Sequence, residues 1–135
     1  DAPIAIMDKR RPKPNVAEVM NIIGDAEGKT AIIVDDIVDT AGTVSAAAVA
    51  LKEAGAKDIY LAATHPVLSG NAAERLNNSP IVEFITTNSI KLREDQKSPK
   101  ITQLSIAKIL GQGVLNIIDD KSLSELFVYN NAKQY

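Results

Sequence analysis

The sequence predicts an α/β fold, an open and mostly parallel sheet with helices on both faces. Three observations predict it. Residues 30–34 (TAIIV) form a continuous apolar run, as in a strand buried on both faces. Further strand-like runs follow at 58–64 (DIYLAAT) and 81–87 (IVEFITT), with helical stretches between them, and this alternation builds βαβ units. The composition, 45% hydrophobic and 24% charged over 135 residues, suits one soluble domain, and with 4% aromatic residues and no Trp its core must be aliphatic.

In chain order, residues 1–7 are short and apolar. Residues 8–15 (DKRRPKPN) follow, where Pro12 and Pro14 forbid a helix and favour an extended, exposed loop. Residues 16–23 are ambiguous between strand and helix, with strand preferred, and end at Gly24; 25–29 read as a turn. The run at 30–34 ends in Asp35 and Asp36, and residues 30–36 are expected as a central strand. A helix over 43–54, rich in Ala and Leu, closes at Gly55. The strand at 58–64, a short helix at 71–76 and the strand at 81–87 come next. A charged loop covers 92–100, a short strand 101–104, and Ser105 caps a helix over 106–119.

Composition also excludes. Fifteen Lys and Arg against 17 Asp and Glu leave a net charge of −2, so there is no basic field for nucleic acid. With no Cys there is no disulfide, thiolate metal site or Cys nucleophile, which fits a reducing, cytoplasmic setting. One histidine, His65, does not make a transition-metal site and reads as structural. No apolar run approaches the roughly 18 residues of a membrane span. Gly24 to Thr30 (GDAEGKT) imitates a nucleotide-binding Walker loop, but its spacing is one residue short and it precedes a strand. The first residue is Asp1, so the chain is expected to be a piece of something longer.

The informative stretch is VDDIVDTAGT, residues 34–43. In open parallel sheets ligands bind beyond the carboxyl ends of strands. The adjacent carboxylates of Asp35 and Asp36 need solvent, a cation such as Mg²⁺, or hydroxyl donors from a sugar. Asp39, Thr40, Ala41, Gly42 and Thr43 put small side chains, hydroxyls and free amides at a helix start, which suits a phosphate. Together they describe a sugar-phosphate site.

This stretch resembles the phosphoribosyl pyrophosphate (PRPP) motif of type I phosphoribosyltransferase folds. With DKRRPKPN upstream and THPVLSG downstream, residues 4–127 resemble the C-terminal domain of the ribose-phosphate pyrophosphokinase (PRPP synthetase) family. The resemblance implies a single phosphoribosyltransferase-like domain over 1–135, the C-terminal portion of a two-domain enzyme without its N-terminal ATP and metal domain. It implies transfer of the β,γ-diphosphoryl group of ATP to the C1 hydroxyl of ribose 5-phosphate, giving PRPP and AMP. Lys9 matches the catalytic lysine of a mobile loop, and Arg11 matches its partner, which also serves ribose 5-phosphate. Asp35, with Asp36, matches the ribose carboxylates, and Asp39, Thr40, Ala41, Gly42 and Thr43 match the 5-phosphate cradle. Mg²⁺ is implied mainly through ATP and the other domain, with no metal ligands here. Ser122, Ser124 and Phe127 match a segment that helps bind phosphate and ADP as regulators at subunit contacts. A hexamer of dimers is implied, without nucleic acid or membrane partners.

Three other readings fit the residues less well. A nucleobase phosphoribosyltransferase shares the loop but needs an aromatic base-binding hood, and none is apparent. A noncatalytic subunit associated with PRPP synthetase need not keep Lys9 and Arg11. A response-regulator receiver has no role for the TAGT loop.

Overall fold

A computed structural model describes residues 3–10 and 19–127. The chain divides into two compact units, Asp1–Leu104 and Ser105–Tyr135.

The first unit opens with an antiparallel hairpin of β1 (Ile6–Arg10) and β2 (Val19–Ile23), in register from Ile6 opposite Ile23 to Arg10 opposite Val19. Residues 8–10, expected in an exposed loop, therefore lie in a paired strand. The two prolines, which cannot donate to a ladder, come after the paired segment. Of the strand expected over 16–23, residues 16–18 lie outside the described residues. Gly24 leaves the hairpin at φ 134°, and a Cβ there would meet Ala5 at 3.1 Å, so the chain can turn past Ala5 only without a side chain.

The Walker-like segment is a turn. Asp25 accepts a hydrogen bond from the Glu27 amide at 3.1 Å, and Lys29 Nζ reaches Asp25 Oδ2 at 2.6 Å. The Lys29 ammonium, and after it the Glu27 amide, holds the Asp25 carboxyl below its usual range. The lysine is engaged within the turn.

Four parallel strands follow: β3 (Ala31–Val38), β4 (Ile59–Pro66), β5 (Ile81–Thr87) and β6 (Ile101–Leu104), adjacent in that order. Helix α1 (Gly42–Glu53) connects β3 to β4, and α2 (Ala72–Asn78) connects β4 to β5. The parallel α/β class is the one predicted. Each crossover advances the sheet in the same direction, so the right-handed rule puts α1 and α2 on one face. The two helices accordingly touch each other and share one core. Val44, Ala47, Ala48 and Leu51 of α1, with Ala72 and Leu76 of α2, bury against Ile33, Leu61, Ala63 and Phe84. The alanines at 47 and 48 carry little bulk where the helix faces the sheet.

The expectation that residues 30–36 form a central strand is corrected. Among the described residues β3 stands at an edge of the sheet. The physical reason is the same: when every crossover steps one way, the first strand of the series is left outermost. Its opposite face is open, with Ile32 66% and Val34 78% exposed.

Helix α1 ends as the glycine stop predicts. Gly55, at φ 86°, donates its amide to the Lys52 carbonyl and Ala56 donates to Leu51, a Schellman closure that satisfies the last carbonyls. The expected loop at 92–100 contains one 3₁₀ turn, Glu94–Gln96.

In the second unit, α3 (Ala107–Ile118) begins after Ser105, whose hydroxyl accepts from the Ala107 amide at 3.3 Å. The end of this helix is organised by buried Asn116. Its carbonyl accepts from the Lys121 amide at 2.8 Å and its side chain donates to the Ser122 carbonyl at 3.0 Å. A 3₁₀ turn over Ser124–Leu126 follows.

Phe84 is the bulkiest of the core side chains with no exposure. Phe84→Ala is expected to cost about 3–5 kcal/mol through lost burial and the cavity left behind. Val82→Thr, at a half-exposed neighbouring position, is expected to stay within about 0.5 kcal/mol. Urea unfolding midpoints of the two variants check both.

Candidate functional site

The carboxyl ends of β3 and β4 meet two loops, and the loops are tied together. Strand β3 continues through the acidic pair to Val38, so Asp35 and Asp36 lie inside the strand and not at its end. Asp35 is in register with Ala63 and Ile37 with His65. Successive strand side chains point to opposite faces, which separates the two carboxylates. Asp35 lines a shallow concavity of about 220 Å³ with Val34, Ala62, Thr64, Ile85 and Thr87. One of its oxygens accepts the Asp36 amide at 2.9 Å.

From the last residue of β3 onward, three consecutive carbonyls accept hydrogen bonds from the segment that joins β4 to α2 and from α2 itself. Leu68 N donates to Val38 O at 3.1 Å, Ser69 N to Asp39 O at 3.0 Å, and Arg75 Nη1 to Thr40 O at 2.9 Å. A trans peptide sets its C=O and the following N–H in opposite directions, and none of the described peptides is cis. With the three carbonyls drawn toward the β4–α2 segment, the amides of Asp39, Thr40 and Ala41 are turned the other way. Ala41 then takes the left-handed conformation, φ 58° and ψ 8°, and caps α1. The amides of Gly42, Thr43 and Val44 belong to the first helical turn, where an α-helix leaves its N–H groups without intrahelical acceptors. The result is a run of amides at the positive end of a helix dipole, with the side chains of Asp39, Thr40 and Thr43 exposed around it.

The second loop is held in turn. Gln96, 3% exposed, donates from Nε2 to both Val67 O at 3.0 Å and Leu68 O at 2.8 Å, and its Oε1 accepts from the Arg93 amide at 2.9 Å. Leu68 is buried with φ 50°, a conformation costly for a side chain with a Cβ, so these bonds and its burial keep the loop in shape. At the ends of β4 and β5, Ser89 Oγ donates to Thr64 O at 3.0 Å and Thr87 Oγ1 donates to the same carbonyl at 2.8 Å. His65 Nδ1 lies 3.0 Å from Ser89 Oγ. The structural reading of His65 fits this fastening.

Of the residues singled out from sequence, the structure brings together Asp35, Asp36, Asp39, Thr40, Ala41, Gly42 and Thr43 along β3 and into α1. Lys9 lies in β1, opposite Met20, in the separate hairpin. Arg11 falls outside the described residues. Ser122, Ser124 and Phe127 are in the second unit. There the Ser122 hydroxyl accepts from the Ser124 amide at 3.1 Å, and Phe127 is 80% exposed. Among the described residues no three Asp, Glu or His side chains gather to hold a metal. No helix of the described residues is long and apolar enough to cross a membrane. Sequence reasoning missed Gln96, Ser89 and Arg75. The THPVLSG segment signalled a loop of interest, but nothing local in the sequence tells that donors 28 and 35 residues away fasten these loops.

Known proteins resemble this chain over nearly its whole length. The family model described as phosphoribosyl synthetase-associated domain matches residues 4–128. A ribose-phosphate pyrophosphokinase of Bacillus subtilis (strain 168) is 59% identical over 126 residues, covering 93% of this chain and 40% of that protein. A protein of the same name from Staphylococcus saprophyticus is 59% identical over 125 residues, covering 93% of this chain and 39% of that protein. A crystal structure of phosphoribosylpyrophosphate synthetase from Mycobacterium smegmatis superposes with a TM-score of 0.80 at 39% identity, covering 87% of this chain and 37% of that one. The chain thus spans about two-fifths of the length of the curated relatives it matches.

Gln96→Ala would leave the carbonyls of Val67 and Leu68 without their side-chain donor. The expected cost is about 2–4 kcal/mol, two bonds to a buried amide. Hydrogen exchange at the amides of Leu68 and Ser69 should accelerate with it, and unchanged exchange at both would contradict the bracing role.

Proposed function

The chain belongs to the phosphoribosyl synthetase-associated domain family, and from that membership we propose that it is the ribose 5-phosphate-binding portion of a ribose-phosphate diphosphokinase. The reaction is transfer of the diphosphoryl group of ATP to the C1 hydroxyl of ribose 5-phosphate, giving PRPP and AMP for nucleotide biosynthesis. The observation that carries this reading is the run of amides over residues 39–44, turned outward by three tied-back carbonyls at the start of a helix. Such a cradle suits a phosphate dianion, which gains from both the amide donors and the helix dipole. The identities with named pyrophosphokinases supply the substrate class.

In this reading the 5-phosphate lies on the amides of residues 40–43, with the Thr40 and Thr43 hydroxyls as further donors. Asp35 and Asp36 take hydroxyls of the ribose, and because they alternate across the strand they do so from different sides. The sugar is thereby held with its C1 hydroxyl toward the incoming nucleotide. The C1 oxygen bonds to the β-phosphorus of ATP as the bond from that phosphorus to the α–β bridging oxygen breaks, and AMP departs. Lys9 and Arg11 meet the charge on the group in flight, since phosphoryl transfer depends mostly on positioning and on cations at the transferring group.

The donor set here does not suit a resident Mg²⁺. Two adjacent carboxylates on alternating sides of a strand fall short of the clustered oxygens that a dedicated site needs. Mg²⁺ would instead arrive with the ATP triphosphate, where it would supply neutralisation of phosphate charge. The remaining attributes follow the family: a cytoplasmic homo-oligomer, a hexamer of dimers, with phosphate and ADP acting through the segment of Ser122, Ser124 and Phe127.

Two measurements on the full-length enzyme test this reading. Thr40→Val combined with Thr43→Val should raise KM for ribose 5-phosphate, and an unchanged KM would count against the cradle. Lys9→Ala should lower kcat by about 100-fold or more, the scale of losing one charge-stabilising donor, and move KM for ATP much less. A near-normal kcat would remove Lys9 from the transition state.

A further inference from the structure

We propose that Arg75 is a positioning residue for the phosphate cradle, setting the orientation of the Thr40–Ala41 peptide and acting without contact to the ligand. This rests on the reading of residues 39–43 as the 5-phosphate site.

Arg75 lies on α2, in a different crossover from the cradle, and reaches across 35 positions of sequence to the Thr40 carbonyl at 2.9 Å. The Val38 and Asp39 carbonyls are fixed by backbone amides, which any sequence supplies. The Thr40 carbonyl is fixed by a side chain, so it is the one member of the series that a substitution can release. The peptide it belongs to carries the Ala41 amide, and Ala41 is also the residue with φ 58°. A non-glycine residue in that region is strained by its Cβ, so the loop has an incentive to rotate this peptide. A charge-assisted bond to the carbonyl opposes that rotation. If the peptide rotated, the Thr40 carbonyl would turn toward the ligand side, replacing a donor with an oxygen that repels phosphate.

The guanidinium stays on the carbonyl side. A Cβ built on Gly42 would lie 3.8 Å from Arg75 Nη1 and 3.7 Å from Thr40 Oγ1, which is ordinary contact. A side chain at position 42 would therefore touch the guanidinium without displacing it. A phosphate received by the outward amides would sit on the other side of the peptide, which separates Arg75 from the ligand itself. Arg75 is exposed, and its effect is expected on the geometry of the loop more than on global stability.

The test is made in the full-length enzyme with three variants. Arg75→Met keeps the aliphatic stem and removes the donors; Arg75→Lys keeps a cationic donor. The double variant Thr40→Val, Thr43→Val is the control for the cradle. The expected result is a KM for ribose 5-phosphate raised about tenfold by Arg75→Met, the effect of one hydrogen bond of moderate strength. KM for ATP and the thermal midpoint should stay near the parent values, and Arg75→Lys should recover most of the loss. If Arg75→Met leaves KM for ribose 5-phosphate unchanged while the threonine double variant raises it, the role of Arg75 is overturned and the cradle stands. If neither raises it, the cradle reading itself falls. If Arg75→Met lowers the thermal midpoint and raises both KM values together, Arg75 is general support for the fold and the positioning role is overturned.

Discussion

The arrangement depends on one constraint, the fastening of three successive carbonyls, from Val38 at the end of β3 to Thr40 before α1, to the crossover from β4 through α2. A loop leaving a strand has no intrinsic reason to turn all its amides one way. Here the reason lies in the neighbouring crossover, which supplies Leu68 N, Ser69 N and Arg75 Nη1 as donors. Parallel strands make this possible, because adjacent parallel strands deliver their following loops to the same end of the sheet. Among the described residues of the first unit, the two left-handed ones that are not glycine, Ala41 and Leu68, sit in these two loops. Each is held by donors from elsewhere, Ala41 through the Thr40 carbonyl and Leu68 through Gln96. Strain and support occur together, since a costly backbone conformation persists only where its surroundings hold it.

The same topology explains what is exposed. Because β3 begins a series that steps one way, its outer edge and one face are free among the described residues. The acidic pair lies on an edge strand with one open face, and the loop over residues 39–41 follows directly from it. On the helix-bearing face, Phe84, Leu61 and Ile59 form a close-packed base that keeps β3 and β4 in register. The buried core of the unit thus lies directly behind the loops that follow β3 and β4.

Much of the fold was legible because each element carried a local signal. The apolar run at 30–34, the Ala-rich stretch before Gly55 and the strand at 81–87 were found close to their predicted bounds. The junction from Asp39 into α1 was legible for the same reason, since small residues and hydroxyls at a helix start are contiguous in sequence. What was not legible is non-local. The edge position of β3 depends on the direction of later crossovers, which no residue of β3 encodes. The strand at 8–10 was read as a loop because its partner, β2, lies beyond the prolines. Arg75 and Gln96 looked like ordinary polar residues, since their acceptors are 35 and 28 positions away.

The most direct test of the central claim is hydrogen–deuterium exchange of the full-length enzyme with and without saturating ribose 5-phosphate. First-turn amides without intrahelical acceptors exchange readily when free. The account predicts marked slowing over residues 39–44 when the sugar phosphate is bound, with β6 unchanged. Residues 39–44 exchanging at the same rate with and without the bound sugar phosphate would show that these amides do not hold it, and would contradict the account.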